Sequence, residues 1–365
     1  MTSPMLDRHR AFDSIPDEVV LRVFSFTTAS GITLSALTQR WRQLALATPV
    51  LWQNLCIKHD RDPAVLSRLV SRTGTVPLDI EIRLEAFRYR FCTDYAKSLE
   101  LLVAEIARWR SLRVFATNPV LHTIRNRIAS VPMPQLEHLE LVQTDTGQVQ
   151  HMGPFILEGD VFRSLVLERT TIFAGDATML VGLRRIRLVG SSLAMVDENK
   201  LLSLEHPAST PDPRPPSMAV LEEIALDGTN PAPDGLSFSP SFSPTNITTV
   251  SLARLVAPSL DIVQALSRFY GAVLSSPALR RLSISDIHGH ALVMLLSVVR
   301  SRQFPALERL EFTDIDTAGI NDGVVHAFAD GVDELILRKL DPEPFVSRKA
   351  LWVRLPRIEL DGRVL

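Results

Sequence analysis

Apolar residues recur along this chain with two different rhythms, helical near the start and strand-like further on. Ile15 to Phe26, "IPDEVVLRVFSF", has the spacing of a short helix. Ser14 and Asp17 form a capping-box pattern, and Pro16 falls in the first turn, where its missing N–H costs nothing. Val19 and Val23 share one face, Val20 and Phe24 another, and Phe26 points elsewhere, so the apolar arc is wide. A second helix is predicted over "TLSALTQRWRQLALA", with Thr33 as cap and Leu34, Leu37, Trp41 and Leu44 at helical spacing. A third begins at "TPVLWQNLCI", with Thr48 as cap, Pro49 in its first turn, then Val50, Leu51, Trp52 and Leu55. "DPAVLSRLVSRTG" reads as a helix capped by Asp62 and ending near Gly74. "VPLDIEIRL" alternates strictly and predicts a strand burying Leu78, Ile80, Ile82 and Leu84. "TDYAKSLELLVAEIARWRSL" predicts an amphipathic helix that turns Tyr95, Leu99, Leu102, Val103, Ile106 and Trp109 inward.

From Leu112 onward one six-residue pattern, apolar-x-x-apolar-x-apolar, keeps returning. It reads "LEHLEL" at Leu136, "FRSLVL" at Phe162, "LRRIRL" at Leu183, "LEEIAL" at Leu221 and "ITTVSL" at Ile247. It continues as "LRRLSI" at Leu279, "LERLEF" at Leu307, "VDELIL" at Val332 and "LPRIEL" at Leu355, with "LRVFAT" at Leu112 as a degraded first copy. The first and last starts enclose nine intervals, a mean period of 27 residues. Period and core resemble leucine-rich repeats. Each copy supplies one short strand, and the helix-like stretches "SLDIVQALSRFYGAVLSS", "HALVMLLSVVRSR" and "NDGVVHAFADG" lie between copies. The expected fold class is α/β: an irregular leucine-rich-repeat solenoid, with parallel strands pairing in chain order and helices on the convex side. A wound α/β sheet is the alternative, but it would not require one six-residue core in every strand. The family usually has Asn or Cys three residues after the last consensus apolar. Thr144, Ser191, Thr229, Leu255, Ile287, Ile315 and Leu340 stand there instead, so the ladder of asparagines is missing and uneven curvature is expected.

The first three helices cover too few residues to bury their own apolar surface well, yet they carry two tryptophans and two phenylalanines. Their residues resemble an F-box. The family's apolar-Pro pair, x-Glu and Ile/Val-Phe pair are matched by Ile15-Pro16, Glu18 and Val23-Phe24. Its Leu-rich helix with a basic residue, Trp and Arg is matched by "LSALTQRWRQLA", and its closing Leu-Trp by Leu51-Trp52. Thr38 and Gln39 depart from it, where relatives often have Val-Cys. That is expected only to retune local packing. The strand and helix that follow resemble, more loosely, a segment of fungal F-box proteins. The resemblance implies binding to a Skp-type adaptor and through it to a cullin, with Ile15, Pro16, Val19, Val20, Val23, Phe24, Leu34, Leu37, Trp41, Leu51 and Trp52 as adaptor contacts. The expected division is a tail over 1–13, an F-box-like unit over 14–58, a linker and capping unit over 59–110 and the repeats over 111–365.

Composition narrows the function. With 46% apolar residues and a net charge of −2 over 365 residues, the chain lacks the basic excess of a nucleic-acid binder. Its start, "MTSPMLDRHRAFD", is too polar for a secretory signal. The longest apolar stretch, Ala291 to Val299, is about half of a membrane span. Cytoplasm or nucleus is the expected location, with no membrane partner. Cys56 and Cys92 suggest no disulfide scaffold, and Cys56 reads as a small buried hydrophobe. His288 and His290 lie two residues apart with no third ligand nearby, which makes a poor metal site. "NIT" at Asn246 matches a glycosylation acceptor but lacks the secretory context. There is no phosphate-binding loop or nucleophile elbow, so nothing argues for an enzyme or a cofactor. The runs "HPASTPDPRPPS" and "NPAPDGLSFSPSFSPT" read as exposed loops.

Together these features predict the substrate-recognition subunit of a Skp–cullin–F-box type ubiquitin ligase, or else a repeat scaffold not engaged with a ligase. Residues flanking and between the last two consensus positions must face the open side of the sheet. His138, Glu140, Arg185, Arg187, Glu223, Arg281, Arg309, Glu311 and Arg338 are the expected target-binding positions there, Arg185 and Arg187 foremost. The target protein itself is not legible.

Overall fold

The computed structural model describes residues 15–26, 31–58, 62–84, 93–128, 131–145, 150–155, 161–174, 182–195, 221–228, 245–255, 260–316, 320, 324, 327–328, 332–339, 357–361 and 363–364. The N-terminal tail, Ser14, Cys92 and nearly all of the two Pro- and Ser-rich runs lie outside the described residues. The chain opens with α1 (Asp17–Phe26), α2 (Gly31–Ser35) and α3 (Gln39–Leu46), followed by one 3-10 turn (Pro49–Trp52). The single helix expected over residues 33–47 is two. The first ends at Ser35, and Thr38 caps α3, its Oγ1 accepting a hydrogen bond from the Trp41 N–H at 3.1 Å. Hydroxyl side chains favour such caps over helix interiors. The residue that departs from the family pattern therefore caps a helix.

After the 3-10 turn the chain runs as a strand, β1 (Asn54–Lys58), where a helix was expected. Its burial alternates: Leu55 and Ile57 point inward, while Cys56 lies half-exposed on the opposite side. The reading of Cys56 as a buried hydrophobe is thereby corrected. Next come α4 (Pro63–Arg72), capped by Asp62, and β2 (Leu78–Leu84), whose Leu78, Ile80, Ile82 and Leu84 are all buried. The helix α5 (Thr93–Val103) stops short of Trp109, which begins β3 (Trp109–Ala116) and is fully buried there, its indole N–H donating to the Leu102 carbonyl at 3.1 Å.

A short helix, α6 (Asn118–Ile128), leads into the repeats. Strands fall on every complete copy of the six-residue pattern: β4 (His138–Gln143), β6 (Ser164–Glu168), β8 (Arg185–Val189), β10 (Glu223–Asp227), β11 (Thr249–Ala253), β12 (Arg281–Ser285), β13 (Arg309–Thr313), β14 (Glu334–Arg338) and β15 (Arg357–Leu360). With β1, β2 and β3 they make one sheet of twelve parallel strands in chain order. A last antiparallel strand, β16 (Arg363–Val364), closes its end. The arrangement is compatible with a solenoid. Pairing is residue for residue: Leu139 faces Leu165, Leu165 faces Ile186, Ile186 faces Ile224, and so on through Val250, Leu282, Leu310 and Leu335. All of these are buried.

Between strands the return path is not helical throughout. The helices α7 (Leu260–Val273) and α8 (Gly289–Arg300) lie where helix-like stretches were read. In three consecutive earlier units the described part of the return segment holds a strand: β5 (Gln150–Phe155), β7 (Thr170–Ala174) and β9 (Ser192–Met195) pair in that order as a second parallel sheet. The rest of those return segments, residues 156–160, 175–181 and 196–220, lies outside the described residues.

The missing asparagines have a backbone substitute. In eight consecutive units the residue just after the strand is left-handed: Arg169, Gly190, Gly228, Arg254, Asp286, Asp314, Lys339 and Asp361, all with φ between 46° and 59°. In six of them the N–H donates to a main-chain carbonyl of the next strand, for example Arg254 to Ser285 at 3.0 Å and Asp286 to Thr313 at 2.8 Å. The residue that follows turns inward. In the early units it is a hydroxyl residue, Thr170 or Ser191, whose Oγ atoms donate to the Glu168 and Val189 carbonyls. Later it is a buried Leu255, Ile287 or Ile315.

Six of these eight positions are not glycine, and an L-residue there carries a conformational cost of about 1–2 kcal/mol. Asp314→Gly is therefore expected to raise stability by up to about 1 kcal/mol once the extra freedom of the unfolded chain is subtracted. Gly228→Ala, which would meet nothing closer than the Gly190 N at 3.9 Å, should lower it by about 1 kcal/mol from backbone strain alone. Urea unfolding of the two variants checks the opposite signs.

Candidate functional site

Two surfaces are candidates. The first is built by α1, α2, α3 and the 3-10 turn. Phe24 meets Trp41 edge-on, with ring centroids 5.1 Å apart. The Trp52 indole donates to the Ala45 carbonyl at 2.7 Å, and the Arg72 guanidinium carbon lies 4.6 Å from the centre of its ring. Gly31 sits against the same indole, so closely that a Cβ would lie 2.9 Å from two ring carbons. Arg40 ties α3 to the start of α1 by bonding the Asp17 carboxylate and the Ile15 carbonyl.

This core divides the eleven expected adaptor contacts. Val20, Phe24, Leu34 and Trp52 are buried inside the unit, and Ile15, Trp41 and Leu51 are half-buried against it. Pro16, Val19, Val23 and Leu37 are exposed. The four buried side chains pack inside the unit and hold its surface in shape. Three exposed apolar residues were not anticipated: Ile32, Leu46 and Val50. Leu46 lies off the helical stripe formed by Leu34, Leu37, Trp41 and Leu44, which was the available signal, while Ile32 and Val50 fall outside that segment. Val19, Val23, Ile32, Leu37, Leu46 and Val50 are 43% to 57% exposed. They account for six of the seven large apolar side chains that stand exposed among the described residues. The seventh is Val293 on α8.

The second surface is the open face of the large sheet. Its central row reads Glu81, Arg113, Glu140, Val166, Arg187, Ala225, Ser251, Ser283, Glu311, Ile336 and Glu359, each beside the next. Both ends are closed by ion pairs. At the early end Arg113 lies 3.9 Å from Glu140, and Arg83 pairs with Glu81 and covers the Phe115 ring. At the late end Arg309 reaches Glu334 at 3.1 Å and Glu311 at 3.7 Å, and Arg338 reaches Glu311 at 3.3 Å and Glu359 at 3.6 Å. Ile336, between those two glutamates, is buried although it faces the open side. Of the remaining expected positions, His138 lies 3.7 Å from Glu137, and Arg185 lies 3.6 Å from Glu223. Arg187 and Arg281 are exposed and pair with no described residue.

Among the described residues no group of three or more His, Cys, Asp or Glu could hold a metal ion, and no helix is long and apolar enough to cross a membrane. Burial raises the Tyr95 and Tyr270 hydroxyls above their ordinary range, and neither finds a hydrogen-bond partner among the described residues. They sit on α5 and α7, away from both surfaces.

The description of F-box-like domains matches residues 12–58, a span that takes in the N-terminal helices and ends with β1. Residues 12–58 are an F-box-like domain, and such a domain suggests a subunit that binds a Skp-type adaptor of a ubiquitin ligase. None of the curated proteins searched is significantly similar to the chain.

The Gly31 contact tests the core behind the first surface. The indole of Trp52 is pinned by its hydrogen bond and cannot retreat, so Gly31→Ala should destabilise the N-terminal unit by about 1–3 kcal/mol. Limited proteolysis combined with tryptophan fluorescence would report it. An unchanged cleavage pattern and melting curve would contradict this packing.

Proposed function

We propose that this chain is the target-recognition subunit of a Skp–cullin–F-box type ubiquitin ligase. The N-terminal helices dock on the adaptor, the repeats belong to the leucine-rich type, and their open face holds a target protein. The chain performs no bond chemistry in this reading and acts in the cytoplasm or nucleus by bringing the target close to the ligase. The observation that carries it is the crowding of exposed large apolar side chains into residues 19–50, inside the segment that matches the F-box-like description. Exposed apolar groups of that kind mark a surface that a partner covers. Charges of both signs, paired at its two ends, line the open face, which suits a protein partner better than a nucleic acid.

Val23→Asp combined with Leu37→Asp changes two exposed positions without touching Phe24 or Trp52. Capture of a co-expressed Skp-type adaptor should weaken more than about tenfold, while thermal unfolding of the sheet stays as in the parent chain. Phe24→Asp should instead unfold the N-terminal helices, since it places a charge in their core. Full adaptor capture by the Val23 and Leu37 double variant would remove this reading and leave the scaffold alternative.

A further inference from the structure

We infer that the middle of the open face, around Arg187 and Arg281, binds an acidic segment of the target protein through two carboxylates. The inference rests on the proposed target-holding role of that face and adds the chemistry of what it holds. On this face arginines are matched to carboxylates strand by strand. Arg83, Arg113, Arg185, Arg309 and Arg338 each pair with a glutamate of their own or a neighbouring strand. Between β8 and β10 Arg185 meets Glu223 at 3.6 Å, and just before those strands Arg184 meets Glu222 at 3.2 Å. Two residues further on the pattern breaks. Arg187 stands between Val166 and Ala225, neither of which can accept a hydrogen bond through its side chain.

Arg281 breaks it again on β12. Its neighbours at the same height are Thr249 and Arg309, and Arg309 is already engaged with Glu311 and Glu334. Both guanidiniums are thus left without the carboxylate that Arg83, Arg113, Arg185, Arg309 and Arg338 have. Between them lie Ala225, Ser251 and Ser283, which are short and allow a partner chain to approach the sheet. Three strand spacings and a two-residue offset separate the two arginines by about 16 Å between Cα atoms. In an extended peptide, carboxylates at positions i and i+4 project to the same side about 13 Å apart. Two flexible arginine side chains span the difference. The partner is therefore an extended stretch crossing the strands with acidic residues four apart, and planar guanidiniums favour bidentate carboxylate pairing.

Fluorescence anisotropy of a labelled hexaglutamate peptide, titrated with the full chain at low salt, tests this. Binding is expected, weakened on the order of tenfold by Arg187→Ala with Arg281→Ala. It should be unchanged by Arg300→Ala, which removes an exposed arginine on α8. Adaptor capture measured on the same preparations should be unaffected by all three changes. That keeps failure of this inference distinct from failure of the ligase reading. Absence of hexaglutamate binding, equal binding by the double variant, or equal loss with Arg300→Ala would overturn the inference. Binding of a phosphoserine peptide but not of hexaglutamate would overturn the carboxylate assignment.

Discussion

Leu139, Leu165, Ile186, Ile224, Val250, Leu282, Leu310 and Leu335 stand side by side, one per strand, and no unit covers its own member of that row. Each side chain is removed from water by the strand before it and the strand after it, a gain of about 1.5–3 kcal/mol apiece. A single unit of some 27 residues would have to order its backbone without that gain, and the entropy cost exceeds what it can bury. The units therefore stabilise one another in sequence, and residue-for-residue register is the condition for it. A slip of one residue would turn the whole buried row outward.

That condition explains the uniform geometry at the strand ends. The chain must leave every strand at the same height and still hand a hydrogen bond to its neighbour. A left-handed residue followed by an inward-facing one achieves both. What the position demands is a backbone angle rather than a side chain, so arginine, aspartate, lysine and glycine all occupy it. The inward-facing residue then needs only to be satisfied where it lands. Thr170 and Ser191 bond main-chain carbonyls, and Leu255, Ile287 and Ile315 join the apolar core.

The same stacking extends into the N-terminal unit. Leu55 and Ile57 of β1 pair with Ile80 and Ile82 of β2 and belong to the same buried cluster as the repeats. The F-box-like segment and the sheet thus share a strand. In the proposed function, that shared strand ties the surface facing the adaptor to the face holding the target.

The sequence by itself determined the rhythm of the large sheet. A six-residue apolar core repeated through the chain leaves parallel stacking as the economical way to bury it, and strand alternation decides which side chains face outward. It also carried the F-box resemblance, because that pattern lies in local spacing from Ile15 to Trp52. Other features required tertiary structure. "NLCI" became a strand because an open sheet edge at β2 was there to pair with it, a contact distant in sequence. Phe24 turned inward and Val23 outward because Trp41 occupies one side of α1, and helical spacing alone cannot tell a core face from a docking face. The left-handed ladder left a partial trace, Gly or Asp at five of its eight positions, but two arginines and a lysine obscured it, because neighbouring strands impose φ whatever the residue type. The unmatched state of Arg187 and Arg281 emerged only once register set each beside its cross-strand neighbours, since ion pairing depends on distance in space.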